Sequence, residues 1–132
     1  MCVRYHGPER WIAMNDSPLI TKSKAFALIV IRTCKELRAA KCESALIHQF
    51  LRSGTSIGAN IREAFYAHSK ADFIAKLEIA LKETNETGKW LEMLWRSEYI
   101  DEARHKALDK TCSTIRFLLV RSIQTAKQNA NK

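Results

Sequence analysis

Two spacings in this sequence set acid and base side chains close enough for shared chemistry. Glu102 and His105 form a Glu-x-x-His pair, and Glu83 and Glu86 stand three apart. Residues three or four apart are neighbours on a helix surface, so the first pair resembles half of a two-metal carboxylate site. Such a site in a helical bundle needs a glutamate on each of two helices and a Glu-x-x-His on each of two others. Neither His48 nor His68 has a glutamate three residues before it, so no second copy exists. Glu83 and Glu86 lie in a segment of mixed charge, where such a pair serves a solvated or salt-bridged face. A phosphate-cradling glycine loop and His-Glu-x-x-His are both missing. The chemistry therefore reads as binding: no catalytic residue, no metal ligand and no cofactor is expected.

The four cysteines add no site. Cys2, Cys34, Cys42 and Cys112 show neither Cys-x-x-Cys spacing nor nearby histidines. Cys34 and Cys112 fall on apolar stripes and read as core thiols. All four are expected reduced, which fits a cytoplasmic protein. The opening MCVRYHGPERW lacks the apolar stretch of a secretory leader. The longest apolar run, Ala25 to Ile31, is far too short for a bilayer.

Any site must be positioned by helices. The only prolines are Pro8 and Pro18, so the chain from Leu19 onward is free of them. A run of that kind, rich in Ala, Leu, Lys and Glu, predicts helices joined by short turns. Residues 1–16 have no periodicity and read as a flexible arm. Residues 17–128 read as one all-α domain, an antiparallel up-down four-helix bundle, with 129–132 as a frayed tail. Ser17 and Pro18 open the first helix as cap and first turn; it runs to Lys41 with Phe26, Ile29, Val30, Thr33 and Leu37 inward. The second spans about Glu43 to Ala67, burying Leu46, Phe50, Ile57, Ile61 and Ala64. The third follows a Ser69/Asp72 capping box to about Glu98, with Glu78 and Lys82 as a surface pair. Its apolar face includes Phe73, Leu77, Ala80, Leu81, Thr84, Leu91, Leu94 and Trp95. Trp90, five residues before Trp95, is set for a helix or subunit contact. Asp101 caps the fourth helix, which buries Leu108, Cys112, Ile115, Leu119, Ile123 and Ala126.

The net charge of +8 is uneven. Residues 1–41 carry +5 and 101–132 carry +4, while 42–68 are neutral and 69–100 carry −1. In an up-down bundle the first and last helices are neighbours, so their excess merges into one basic face, as a polyanion partner requires. The candidate phosphate contacts are Lys24, Arg32, Lys35 and Arg38 on the first helix, with Arg116, Arg121 and Lys127 on the fourth. Phe65 and Tyr66 are candidates for an exposed contact. No aromatic platform for stacking bases is evident, so phosphate contacts dominate.

The middle of the second helix is unusual. Ser53, Gly54, Thr55, Ser56, Gly58 and Asn60 crowd small residues into two turns. Each helical glycine costs about 1 kcal/mol relative to alanine. A continuous helix closely approached by another is favoured over a kink. Asn60 and Glu63, polar groups at such a contact, need partners, the nearest being Ser56, Lys82 or Glu86; a structural network is the simpler reading.

The stretch LRSGTSIGANIREAFYAHSKADFIAKLEIALKETNETGKWLEMLW, Leu51 to Trp95, closely resembles a family first noted as open reading frames within intervening sequences of bacterial 23S rRNA genes. The opening PLITKSKAFALIVIRTCKEL resembles the family's first helix, so the likeness covers residues 17–128. At Arg62 and Phe65-Tyr66 the chain departs from a pattern of smaller or polar residues. The resemblance implies a four-helix bundle, commonly a ring-shaped homopentamer with a basic surface and without catalytic residues. It also implies kinship with accessory proteins of diversity-generating retroelements, which bind a reverse transcriptase and its template RNA. A ring gives Ser53, Gly54, Thr55, Ser56, Gly58 and Asn60 a second possible role, at the contact between subunits. The expected function is therefore that of a homo-oligomeric RNA-binding accessory protein. The rival is a scaffold whose basic face meets an acidic protein.

Overall fold

A computed structural model describes residues 17–130; the expected arm, Cys2 and the last two residues lie outside them. Four helices and no strand occupy that span: α1 (Pro18–Ala39), α2 (Ser44–Phe65), α3 (Lys70–Arg96) and α4 (Glu102–Ala130). The helix count follows the hydrophobic spacing, and α4 is described as far as Ala130.

The starts follow the caps, with one exception. The Ser69 hydroxyl accepts from the Asp72 amide at 3.1 Å, and Asp101 Oδ1 accepts from the Arg104 amide at 2.7 Å. Ser17 has the extended backbone of a cap residue, but its hydroxyl makes no capping bond.

The ends of α1 and α3 come earlier than expected. Lys41 and Glu98 adopt left-handed backbone, at φ 59° and 66°. Around Lys41, its own amide donates to Arg38 O at 3.0 Å and the Cys42 amide to Leu37 O at 2.9 Å. The Glu98 amide likewise reaches Trp95 O and the Tyr99 amide Leu94 O, both at 2.9 Å. These are Schellman closures, which usually employ glycine.

The core draws on all four helices. Phe26, Val30, Phe50, Ile57, Ile61, Leu77, Leu91, Leu94, Ile115 and Leu119 are fully enclosed. Each such side chain contributes about 1.5–3 kcal/mol on burial. The six residues expected to face inward on α4 are all buried. On α2 the register needs one correction: Ile47 is buried while Leu46 is only partly covered. Ile29, Leu81 and Trp95 likewise pack at the edge of the core.

α2 is continuous through its glycines. A Cβ on Gly54 would lie 2.9 Å from both Val30 methyls, and one on Gly58 would lie 3.3 Å from Ser23 Oγ. The small residues thus face α1 within the same bundle. Ser53, Thr55 and Ser56 return their hydroxyls to backbone oxygens of Phe50, Leu51 and Arg52. Asn60 Nδ2 donates to Ser56 O at 2.9 Å, so its partner is backbone, and Glu63 pairs with Lys76 at 3.1 Å.

Sequential helices pack extensively, and α1 meets α4 more sparsely. Cross-helix partners fall in number on one helix as they rise on the next. Arg52 reaches Glu83 and Glu86 while Glu63 reaches Lys76; Lys127 reaches Glu78 while His105 stacks on Trp95.

Candidate functional site

α1 owes its outward face to helical geometry. Successive residues turn through about 100°, so Lys24, Leu28, Ile31, Lys35 and Arg38 line up opposite the stripe of Phe26, Val30, Thr33 and Leu37. All five are exposed, with Arg32 at the margin. Lys24, Arg32, Lys35 and Arg38 make no ion pair among the described residues. The only acid within α1, Glu36, is drawn sideways onto α4, where Arg104 NH2 holds it at 2.6 Å and also donates to Thr33 Oγ1 at 2.9 Å. The Arg104 hydrogen bond, then its charge, hold the Glu36 carboxyl below the ordinary glutamate value. Unneutralised cations therefore dominate this face.

The fourth-helix cations are differently placed. Arg116 is half-buried and turns to α3, donating from Nε to Asn85 Oδ1 at 2.7 Å. Lys127 also turns to α3, pairing with Glu78 at 3.2 Å; Glu78 thus meets α4 rather than the expected Lys82. Arg121 lies over the Phe117 ring at 5.6 Å. The expected merger of α1 and α4 charge is carried instead by Lys22 and Lys110, which line a groove of about 290 Å³ between those helices. Both lysines were missed because spacing alone does not tell which flank of α1 meets α4.

Two more clefts flank α2, one beside α1 and one beside α3. One of about 250 Å³ is lined by Lys24, Thr55, Gly58 and Arg62 among others. The other, about 610 Å³, is lined by Ala59, Arg62, Tyr66, His68, Asp72 and Lys76 among others. An apolar hollow of about 480 Å³ lies between Phe65, Phe73 and the exposed Phe117.

The acid and base pairs singled out by spacing serve the fold. Arg52 forks to Glu83 at 3.1 Å and Glu86 at 2.9 Å, clamping α2 to α3. Burial works to raise the Glu86 carboxyl, but the Arg52 hydrogen bond and charge are among the effects that outweigh it. His105 stacks on Trp95 with ring centres 4.5 Å apart. Among the described residues no group of three or more His, Cys, Asp or Glu is placed to hold a metal ion. Cys34, Cys42 and Cys112 are buried and unbridged, and burial pushes the Cys112 thiol up to about 12. No helix among the described residues is long and apolar enough to cross a membrane.

The sequence profile described as 23S rRNA-intervening sequence protein matches residues 15–121. Among solved structures, the chain is similar to a protein with unknown function from the S23 ribosomal protein family of Bacteroides thetaiotaomicron VPI-5482. The two are 48% identical, with a TM-score of 0.78 over 80% of this chain and 97% of that one. No curated protein matches the sequence.

Proposed function

The chain belongs to the 23S rRNA-intervening sequence protein family, and on that premise we propose that it is a non-enzymatic, homo-oligomeric RNA-binding protein of the cytoplasm. The observation that carries this reading is the exposed α1 face, where Lys24, Arg32, Lys35 and Arg38 have no acidic partner among the described residues, in a chain of net charge +8. Cations that already hold carboxylates have little to offer a phosphate, and these four hold none among the described residues. Arg121, whose nearest partner is a ring, joins them from α4, with Arg116 and Lys127 as weaker contributors.

The helices form an antiparallel up-down bundle in this reading, supported by the opposed numbering of cross-helix partners. A ring-shaped homopentamer is supported by Leu28, 51% exposed, and Ile31, 37% exposed, between the cations of α1. A closed ring joins two different surfaces of each subunit, so an apolar strip here needs a complement elsewhere. Gly54 and Gly58 are spent on contact with α1, which leaves Thr55, Ser56 and Asn60 as the part of the small-residue run available to a neighbour. In its narrowest form the reading makes the protein the accessory subunit of a retroelement reverse transcriptase, supported by the basic face that a template RNA needs.

The test is RNA binding followed across salt. Each of Arg32→Ala, Lys35→Ala and Arg38→Ala should reduce the salt slope by about one without altering sequence preference. Arg116→Ala and Lys127→Ala should move it less. Unchanged affinity in an Arg32→Glu/Lys35→Glu variant would overturn the reading. The apolar strip also favours a protein scaffold as a second reading, and a partner retained after nuclease treatment would select it.

A further inference from the structure

We propose that the N-terminal segment, residues 1–16, docks into the apolar hollow beside Phe117, with Trp11 and Met14 as its anchors. This docking is independent of RNA binding. The hollow is lined from all four helices, and its volume of about 480 Å³ has room for more than one large side chain. Its inner wall is already paired: Phe65 meets Phe73 edge-on, with ring centres 6.1 Å apart. The outer wall is open. Phe117 is 59% exposed, more than any other large hydrophobic side chain among the described residues, even with Arg121 over its ring at 5.6 Å. Leu118 beside it is only partly buried. Apolar surface rimmed in this way by polar residues marks a site that another group covers.

The occupant is identified by where the chain enters. Ser17, the first described residue, is itself part of the lining, so the residues before it start at the rim. They contain an uninterrupted apolar run, Trp11, Ile12, Ala13 and Met14. An extended chain covers at most about 3.3–3.6 Å per residue, so Trp11 can reach roughly 20 Å from Ser17, about two helix diameters. The tether makes the contact intramolecular, at an effective concentration in the millimolar range, which a separate molecule of the same chemistry does not share. The family match points the same way. It spans residues 15–121, so the apolar run lies before it, and Ser122, Thr125 and Ala126 of the hollow lie after it. Both lie outside the shared span, and docking brings them together. It also ties the start of α1 to α4, the neighbouring helices that pack most sparsely.

The test is trypsin cleavage at the Arg10–Trp11 bond in the full chain, read by mass spectrometry beside a peptide of residues 1–16. Cleavage of a docked segment follows the fraction of time that it is open. The wild-type chain should be cut about tenfold more slowly than the peptide, or slower still, the scale set by burying one large apolar side chain. Phe117→Ala and Thr125→Glu should each restore most of the peptide's rate, and Leu28→Ala, at an exposed apolar position on α1, should not. Phe117 and Thr125 are both exposed, so the helical circular dichroism of these variants should match the wild type. Equal rates in chain and peptide would overturn the docking. Protection that survives both Phe117→Ala and Thr125→Glu would place the segment elsewhere and overturn it too. Protection that grows with protein concentration would give the hollow to a second copy of the chain, which also overturns it.

Discussion

Gly54 and Gly88 are both helical, yet they answer to different forces. A methyl on Gly54 would press within 2.9 Å of Val30 Cγ1 and Cγ2, and Val30 is enclosed and β-branched, with no free rotamer to yield. Overpacking of this kind costs about 1–3 kcal/mol, which exceeds the helix preference of about 1 kcal/mol for alanine over glycine. Gly54→Ala should therefore lower the urea midpoint. At Gly88 the same methyl meets only an Arg116 nitrogen at 3.5 Å, an ordinary contact. Gly88→Ala should raise stability by up to about 1 kcal/mol. A second prediction at this scale concerns acid. The Glu36 carboxyl is held low in the folded state by Arg104, so its stabilisation is present above the unfolded carboxyl value and lost as pH falls through the folded one. Glu36→Gln should lower stability near neutrality, and its deficit should shrink below pH 4.5. A deficit constant across that range would contradict the charged contact. The sequence showed that Gly54 and Gly58 sit in a tight contact; that Arg116 is spent on Asn85 was hidden, because a long side chain's direction depends on a neighbouring helix.

At the scale of elements, the sequence disclosed helix starts better than helix ends. Ser69 and Asp101 announce themselves by residue type and bond to the amides three residues on. α1 and α3 end on Lys41 and Glu98 in left-handed backbone, a conformation for which glycine is the usual signal. With no glycine there, the periodicity ran on to Lys41 and Glu98 themselves. Left-handed backbone costs a non-glycine residue roughly 1–2 kcal/mol, partly offset by glycine's greater freedom when unfolded. Lys41→Gly and Glu98→Gly should each stabilise the chain by about 0.5–1 kcal/mol, read from thermal or urea midpoints. The inward stripe of α4 was legible in full because it is regular over six positions. On α2 the neighbouring Leu46 and Ile47 compete for one inward place, and only packing against α1 decides for Ile47. The candidate cations of α1 shared a face by spacing alone, whereas the clefts flanking α2 needed three helices in place.

At the scale of the whole molecule, the charge distribution acquires its meaning from ion pairing. Counting charges by segment assigned equal roles to the first and last helices. In the folded chain Lys127 is neutralised by Glu78 and Arg116 is bound to Asn85, while the α1 cations have no acidic partner among the described residues. The unequal contact between α1 and α4 leaves Lys22 and Lys110 along an open seam, so the basic surface centres on α1 and its flanks. Leu28 and Ile31 are exposed within that surface, so under the proposed oligomeric reading charge reversal there should disturb assembly and RNA binding together. The most direct measurement is particle mass by light scattering, with and without a structured RNA, at low and moderate salt. A particle of about five subunits that takes up RNA at low salt and releases it as salt rises is the expected result. A particle of any size that ignores RNA at low salt would contradict RNA binding and leave the basic face to a protein partner.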